Sequence, residues 1–144
     1  RLERVGERNG VAWFNDSKGT NVDATVTAVK SFAGGVHLIA GGKGKGAPYA
    51  PLVDVSRGKV VAVYTIGEDA PLIEASYLEG APEIEVIASK TLDAACANAA
   101  KHAKPGEVIL LSPACASFDQ FRDYAHRGET FRTLFARSSH PEAH

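Results

Sequence analysis

The sequence contains no methionine, not even at position 1, and opens on Arg1-Leu2-Glu3. Such an opening is expected of a piece cut from a longer protein. Cysteine is scarce: Cys96 and Cys115 are the whole supply, too few for a disulfide framework or a four-ligand zinc site. Both lie in Ala-rich apolar stretches, where a free thiol packs as a small core side chain, and this usage predicts a reducing cytoplasm. Long apolar runs are missing too. Among the longest, residues 60–66 fall far short of the roughly 20 residues that cross a bilayer. No cationic segment followed by an apolar stretch opens the chain, so no secretory leader is read from it. Charge of one sign is not in excess either. Sixteen Lys and Arg stand against 17 Asp and Glu, a formal net charge of −1, which leaves no polybasic footprint for nucleic acid or an anionic membrane.

What is present is the composition of one folded domain. The 144 residues are 44% hydrophobic and 23% charged, enough apolar surface to offset the chain entropy lost on folding and too short for a second full core. Asn9-Gly10 separates two strand-like runs, Glu3–Arg8 and Val11–Asn15, a hairpin signature because both turn residues accept positive φ. Asn21 is a candidate N-cap for a helix carrying Val22, Val26 and Val29, ended before Gly34-Gly35. Residues 36–40 read as a buried strand, 51–55 as a short helix, 59–66 as the clearest strand and 84–87 as a brief one. Asp69-Ala70-Pro71 starts a helix read through Ser76, with Pro where its missing N–H costs nothing. Thr91 caps an Ala-rich helix over 92–103 that Pro105-Gly106 ends, and 108–111 is another buried strand. From Asp119 onward the chain reads as helical, broken or kinked at Gly128, with 138–144 as a frayed tail. Strand–helix alternation after residue 16 predicts right-handed βαβ units. The fold class is therefore α/β, an open, mostly parallel sheet with helices on both faces and the leading hairpin as an antiparallel edge.

In open α/β sheets, ligands sit outside the carboxyl ends of the strands. That rule selects three loops, 16–21, 41–46 and 112–117. In the first, Asn15-Asp16-Ser17-Lys18-Gly19-Thr20-Asn21 brings amides, a carboxylate, hydroxyls and an ammonium to a helix start, where unpaired N–H groups suit phosphate or carboxylate. Plain capping accounts for Asn21 or Thr20 but not for Asp16 and Lys18. In the second, Gly41-Gly42-Lys43-Gly44-Lys45-Gly46 fails the P-loop pattern, because Ala47-Pro48 follows Gly46, and fits a dinucleotide fingerprint only loosely. It either presents Lys43 and Lys45 to an anion or makes a tight exit from the strand with its lysines solvated. The third, Ser112-Pro113-Ala114-Cys115-Ala116-Ser117, is rich in small residues that let either a ligand or a neighbouring element approach the backbone. Asp119 is a candidate first-turn acid for the helix that follows. Of the histidines, His37 reads as a satisfied core or edge residue, and His102, His140 and His144 as surface positions. His126 lies near the third loop, but no Ser or Cys with a matching acid accompanies it. Neither a hydrolase triad nor metal-ligand spacing is found.

These three blocks, with the extension Phe118-Asp119-Gln120-Phe121, the opening Arg1-Leu2-Glu3 and the Arg127-Gly128 pair, resemble the C-terminal domain of a Mur ligase. Order and spacing agree over residues 1–137. The resemblance implies a Rossmann-like amino-acid-binding domain, with an N-terminal UDP-binding domain and a central P-loop ATPase domain outside this chain. It implies a cytoplasmic, monomeric bacterial ligase of peptidoglycan synthesis, serving cell-wall growth, shape and division. In that chemistry ATP activates the carboxylate of UDP-N-acetylmuramoyl-L-alanine as an acyl phosphate, which the amine of D-glutamate attacks. ATP and Mg²⁺ would be held mainly by the central domain, so this chain alone would not turn over. By the same resemblance Thr20, Lys45 and Ser117 hold D-glutamate, with Phe118 and Tyr124 lining its site. Arg1 and Asp16 contact the nucleotide, and Lys18 is the catalytic residue, placed where phosphate charge develops. Gly19 stands where Ala is more usual in the family, and Tyr124 where Phe is common. The alternatives are a relative with a different incoming amino acid, such as a folylpolyglutamate synthase, or a stand-alone doubly wound binding module.

Overall fold

Asn9 and Gly10 adopt φ of 54° and 78°, the left-handed backbone that a two-residue hairpin turn needs. Across them β1 (Glu3–Arg8) pairs antiparallel with β2 (Val11–Asn15). The chain then alternates through α1 (Val22–Lys30), β3 (Val36–Gly41), α2 (Ala50–Ser56), β4 (Val60–Ile66), α3 (Ala70–Gly80), β5 (Glu85–Lys90), α4 (Leu92–His102), β6 (Val108–Leu111) and α5 (Tyr124–Arg137). This computed structural model describes residues 2–138. Arg1 and positions 139–144 of the expected tail lie outside the described residues.

The strands run in the order β1-β2-β6-β3-β4-β5, and every pair beyond the leading hairpin is parallel. Side chains alternate across the sheet, so each strand feeds two cores. Leu38, Ala40, Val63 and Leu110 pack with residues of α1, α2 and α3 on one face. Ile39, Tyr64, Ile109 and Leu111 pack with α4 and α5 on the other. The expected doubly covered sheet is therefore present. Trp13 of β2 anchors α5, with its ring 5.5 Å from that of Phe131 and 5.3 Å from that of Phe135. At the amino end of the strands, buried His37 is satisfied as expected. Its Nδ1 lies 2.8 Å from the Tyr64 hydroxyl and its Nε2 2.7 Å from Glu107.

Three expected boundaries need correction. The helix opened by Asp69 does not stop at Ser76. It continues to Gly80 because Ile73 and Tyr77 extend one buried stripe, with the Tyr77 hydroxyl 2.8 Å from Ser56 Oγ. The brief strand expected over 84–87 runs as β5 from Glu85 to Lys90. The last helix begins at Tyr124, not Asp119, because Asp123 caps it by accepting from the His126 N–H at 2.8 Å. Asp119 instead accepts from the Glu68 N–H at 2.9 Å, and Gln120 Nε2 donates to the Lys90 carbonyl at 2.8 Å. Residues 117–123 thus form a strap over the carboxyl ends of β4 and β5. Gly128 does not break α5, which runs through it. Its role is close approach: a Cβ there would stand 3.0 Å from Asn15 Nδ2 and 3.4 Å from Ser17 Cβ.

Candidate functional site

The carboxyl ends of β2, β6 and β3 lie side by side, which brings the loops that follow them to one rim. Backbone bonds then join the loops. The Asp16 N–H donates to the Leu111 carbonyl at 2.7 Å and the Ala114 N–H to that of Gly19 at 2.8 Å, linking the first loop to the third. The Gly41 N–H donates to Pro113 at 2.9 Å, and Lys43 and Ala116 exchange two bonds of 2.9 Å, linking the second to the third. Ser112 Oγ donates to Asp16 Oδ2 at 2.7 Å. Gly19 suits this pair, since a Cβ at that position would come within 2.8 Å of both oxygens. Ala114, in the third loop, holds φ of 63°, a left-handed conformation uncommon for a residue with a side chain.

Two buried side chains fasten the loops from below. Arg127, 1% exposed, donates from Nε to Ser17 Oγ at 2.9 Å, from Nη2 to the Ser17 carbonyl at 2.7 Å and from Nη1 to the Cys115 carbonyl at 3.1 Å. Tyr49 donates to Asp69 Oδ2 at 2.5 Å and lies 3.2 Å from Cys115 Sγ. The Asp69 N–H donates to the Gly42 carbonyl at 2.9 Å, so the glycine loop wraps around this carboxylate. Burial raises the Tyr49 hydroxyl well above its ordinary value and pushes the Cys115 thiol up to about 11. Cys115 is therefore a packed, hydrogen-bonded thiol and not a nucleophile. The sequence offers no burial signal for Arg127 or Tyr49. Arg127 stands among polar residues, and its partners lie 12 and 110 positions away.

The residues expected to act fall into distinct settings. Asp16 is buried and engaged by Ser112, while Lys18 is exposed with Nζ 6.0 Å from the Tyr124 ring centroid. Lys18 and Tyr124 line a cleft of about 350 Å³ with Glu3, Asn15, Ser17 and Arg132. On its other side Lys18 joins Asp16 and Gly19 in a cleft of about 550 Å³ walled by Leu2, Ala24, Thr27 and Ala28. Thr20 is half-buried and Lys45 exposed, whereas Ser117 is only 2% exposed. Among the described residues, no side-chain hydrogen bond or ion pair engages Thr20, Lys45 or Ser117. Phe118 and Tyr124 present large apolar faces, at 67% and 43% exposure. Thr20, Lys45, Ser117 and Phe118 line neither cleft, so their loops share a rim without enclosing one pocket. Asn21 caps α1, accepting from the Ala24 N–H at 2.8 Å. A third cleft, about 550 Å³ under the strap and lined by Thr65, Glu74, Lys90 and Gln120, contains none of the expected residues.

By fold and rim the protein is an open α/β domain that gathers cationic and hydroxyl side chains at the carboxyl ends of its strands. The chain belongs to the Mur ligase glutamate ligase domain family, whose pattern matches residues 1–115. It is 52% identical over 134 residues to the UDP-N-acetylmuramoylalanine--D-glutamate ligase of Myxococcus xanthus, covering 93% of this chain and 29% of that protein. It is 49% identical over 142 residues to the enzyme of that name from Koribacter versatilis, covering 99% of this chain and 30% of the relative. The chain thus spans less than a third of the length of these relatives. A solved domain from Haemophilus ducreyi, described as part of a "UDP-N-acetylmuramate:L-alanyl-gamma-D-glutamyl-medo-diaminopimelate ligase", superposes with a TM-score of 0.63 at 13% identity. That match covers 92% of this chain and 98% of the solved one, and it supports the fold. No helix among the described residues is long and apolar enough to cross a membrane.

Proposed function

We infer that this chain presents D-glutamate to the activated carboxylate of UDP-N-acetylmuramoyl-L-alanine, as one domain of an ATP-dependent, amide-forming ligase of peptidoglycan synthesis. The observation that carries the reading is the joined rim with three polar side chains left unengaged by the other described residues: the Thr20 hydroxyl, the Lys45 ammonium and the Ser117 hydroxyl. D-Glutamate brings two carboxylates, which an ammonium and hydroxyls meet with charge-assisted hydrogen bonds. Phe118 and Tyr124 supply apolar walls for its methylenes. The task of the rim is positioning, because the amine must lie in line with the acyl carbon it attacks. The names of the relatives at about half identity support the same substrate.

The nucleotide fits the first loop. Exposed Lys18, close to the N-terminus of α1, suits phosphate charge, and Asp16, held by Ser112, would accept from a nucleotide hydroxyl; the guanidinium of Arg1 is a second proposed nucleotide contact by its chemistry. ATP supplies the phosphoryl group that makes the acceptor carboxylate reactive. For Mg²⁺ the described residues offer no fit, since no group of three His, Cys, Asp or Glu stands together among them. The metal falls to the P-loop ATPase domain proposed to accompany the chain, along with a UDP-binding domain. Closure of the open rim onto that ATPase domain would complete the site, in a monomeric enzyme of the bacterial cytoplasm.

The test uses the whole ligase that contains this chain. Lys45→Ala is expected to raise KM for D-glutamate by roughly tenfold or more, the value of one charged hydrogen bond, with the thermal midpoint unchanged because the side chain is exposed. A wild-type protein that ignores D-glutamate and instead adds L-glutamate or a diamino acid would overturn the reading.

A further inference from the structure

We propose that Arg127 is the positioning residue of this rim: one buried guanidinium bonds the first and third loops together with the second packed against it, and lends them a positive charge that no carboxylate contacts. The inference rests on the functional reading above for its ligand, and on geometry alone for its structural half.

Its three bonds reach Ser17 of the first loop twice and Cys115 of the third once. The second loop lies against it as well, since a Cβ placed on Gly42 would stand 3.5 Å from Nη1. Ser17 is flanked by Asp16 and Lys18, and Cys115 lies two residues before Ser117, so each bond sets the backbone beside a residue expected to touch a ligand. Ser17 Oγ also donates onward to the Tyr124 carbonyl at 2.7 Å, which ties the first loop to the start of α5. Only a planar fork of donors spans these acceptors at once, and an ammonium does not.

The guanidinium also acts through its charge. All three acceptors are neutral oxygens. The ion pairs among the described residues leave Arg127 out. Burial lowers its pKa to about 10, so it remains cationic at neutral pH. A buried cation without a contacting counter-ion is costly to the fold, yet here it lies beneath the loops that carry Thr20, Lys45 and Ser117. In a poorly hydrated interior its field is weakly screened; the Asp119 carboxylate nearby offsets it in part without touching it, and an anionic ligand on the rim adds further negative charge.

The experiment compares Arg127→Lys and Arg127→Ala with wild type in the whole ligase. R127K keeps the charge but loses the fork. It is expected to fold with a thermal midpoint within about 5 °C of wild type and to raise KM for D-glutamate about tenfold. Amide exchange at Lys43, Ala114 and Ala116, whose N–H groups bridge the loops, is expected to quicken in step. R127A is expected to lose more activity, and millimolar guanidinium to restore part of it where equal sodium chloride does not. Should R127A fail to fold, R127K decides alone. Wild-type kinetics and exchange in R127K overturn the proposal. So does a large drop in its midpoint with unchanged KM per folded molecule. A wild type that does not use D-glutamate sinks the functional reading instead. The exchange measurement then still decides whether Arg127 keys the loops.

Discussion

At Gly41 the backbone takes φ of 131°, and a Cβ there would run into the carbonyl oxygen of Ile66 on β4. At Gly46, five residues on, φ is 84° but nothing stands within 4 Å of the same imagined atom. The two glycines of one loop therefore face different penalties. Gly46→Ala is expected to cost about 1–2 kcal/mol, the strain of a left-handed backbone alone. Gly41→Ala adds a collision with main chain and is expected to cost about 3–5 kcal/mol. Urea unfolding midpoints of the two variants check this, and equal losses would contradict it. Which glycine carries the constraint is not readable from a run of alternating glycines and lysines, because the decisive atom belongs to a strand 25 residues away. The same limit applies to Arg127. Its chemistry is plain in the sequence, but its burial depends on Ser17, and the two meet only once the sheet has formed.

Elements were more legible than residues, and for a physical reason. Apolar periodicity, Asn-Gly at a hairpin and side-chain caps act over a few positions, so β1, β2 and β6 and the caps Asn21 and Thr91 stand where local chemistry puts them. The start of α5 was not legible. Asp119 and Asp123 are both able to cap, and the choice turns on the Glu68 N–H, which takes Asp119 across 51 residues. The rim itself was legible as three loops at strand ends, because parallel order fixes which ends are neighbours, whereas the clefts flanking Lys18 were not. At the opposite end of the sheet, Glu107 before β6, His37 in β3 and Tyr64 in β4 form one hydrogen-bonded chain across three elements. Burial alone would raise the Glu107 carboxyl. Hydrogen bonds with His37 and from the Lys104 N–H outweigh it and hold the group below its ordinary 4.5. A carboxyl lowered on folding contributes stability that is complete above about 4.5 and is lost as pH falls through the folded value. Glu107→Gln is therefore expected to lower the thermal midpoint at pH 6 and to flatten its decline between about pH 5 and 3. Calorimetry over that range checks it, and parallel curves for the two proteins would count against it.

For the molecule as a whole, strand order governs cooperativity. β6 is last in sequence yet pairs with both β2 and β3, while β2 and β3 do not pair with each other. A chain shortened after Lys104 keeps five strands and four helices but loses the one that joins the hairpin to the β3-β4-β5 unit. It is expected to show no cooperative thermal transition by far-ultraviolet circular dichroism, and a sharp transition near that of the intact protein would refute this. The consequence reaches into synthesis. As the chain leaves the ribosome, its first hundred residues amount to two pieces of sheet with open flanks, each a template for stray pairing. Only when four residues, Val108–Leu111, emerge does the gap close, so that late insertion is the step a nascent-chain chaperone has most reason to guard.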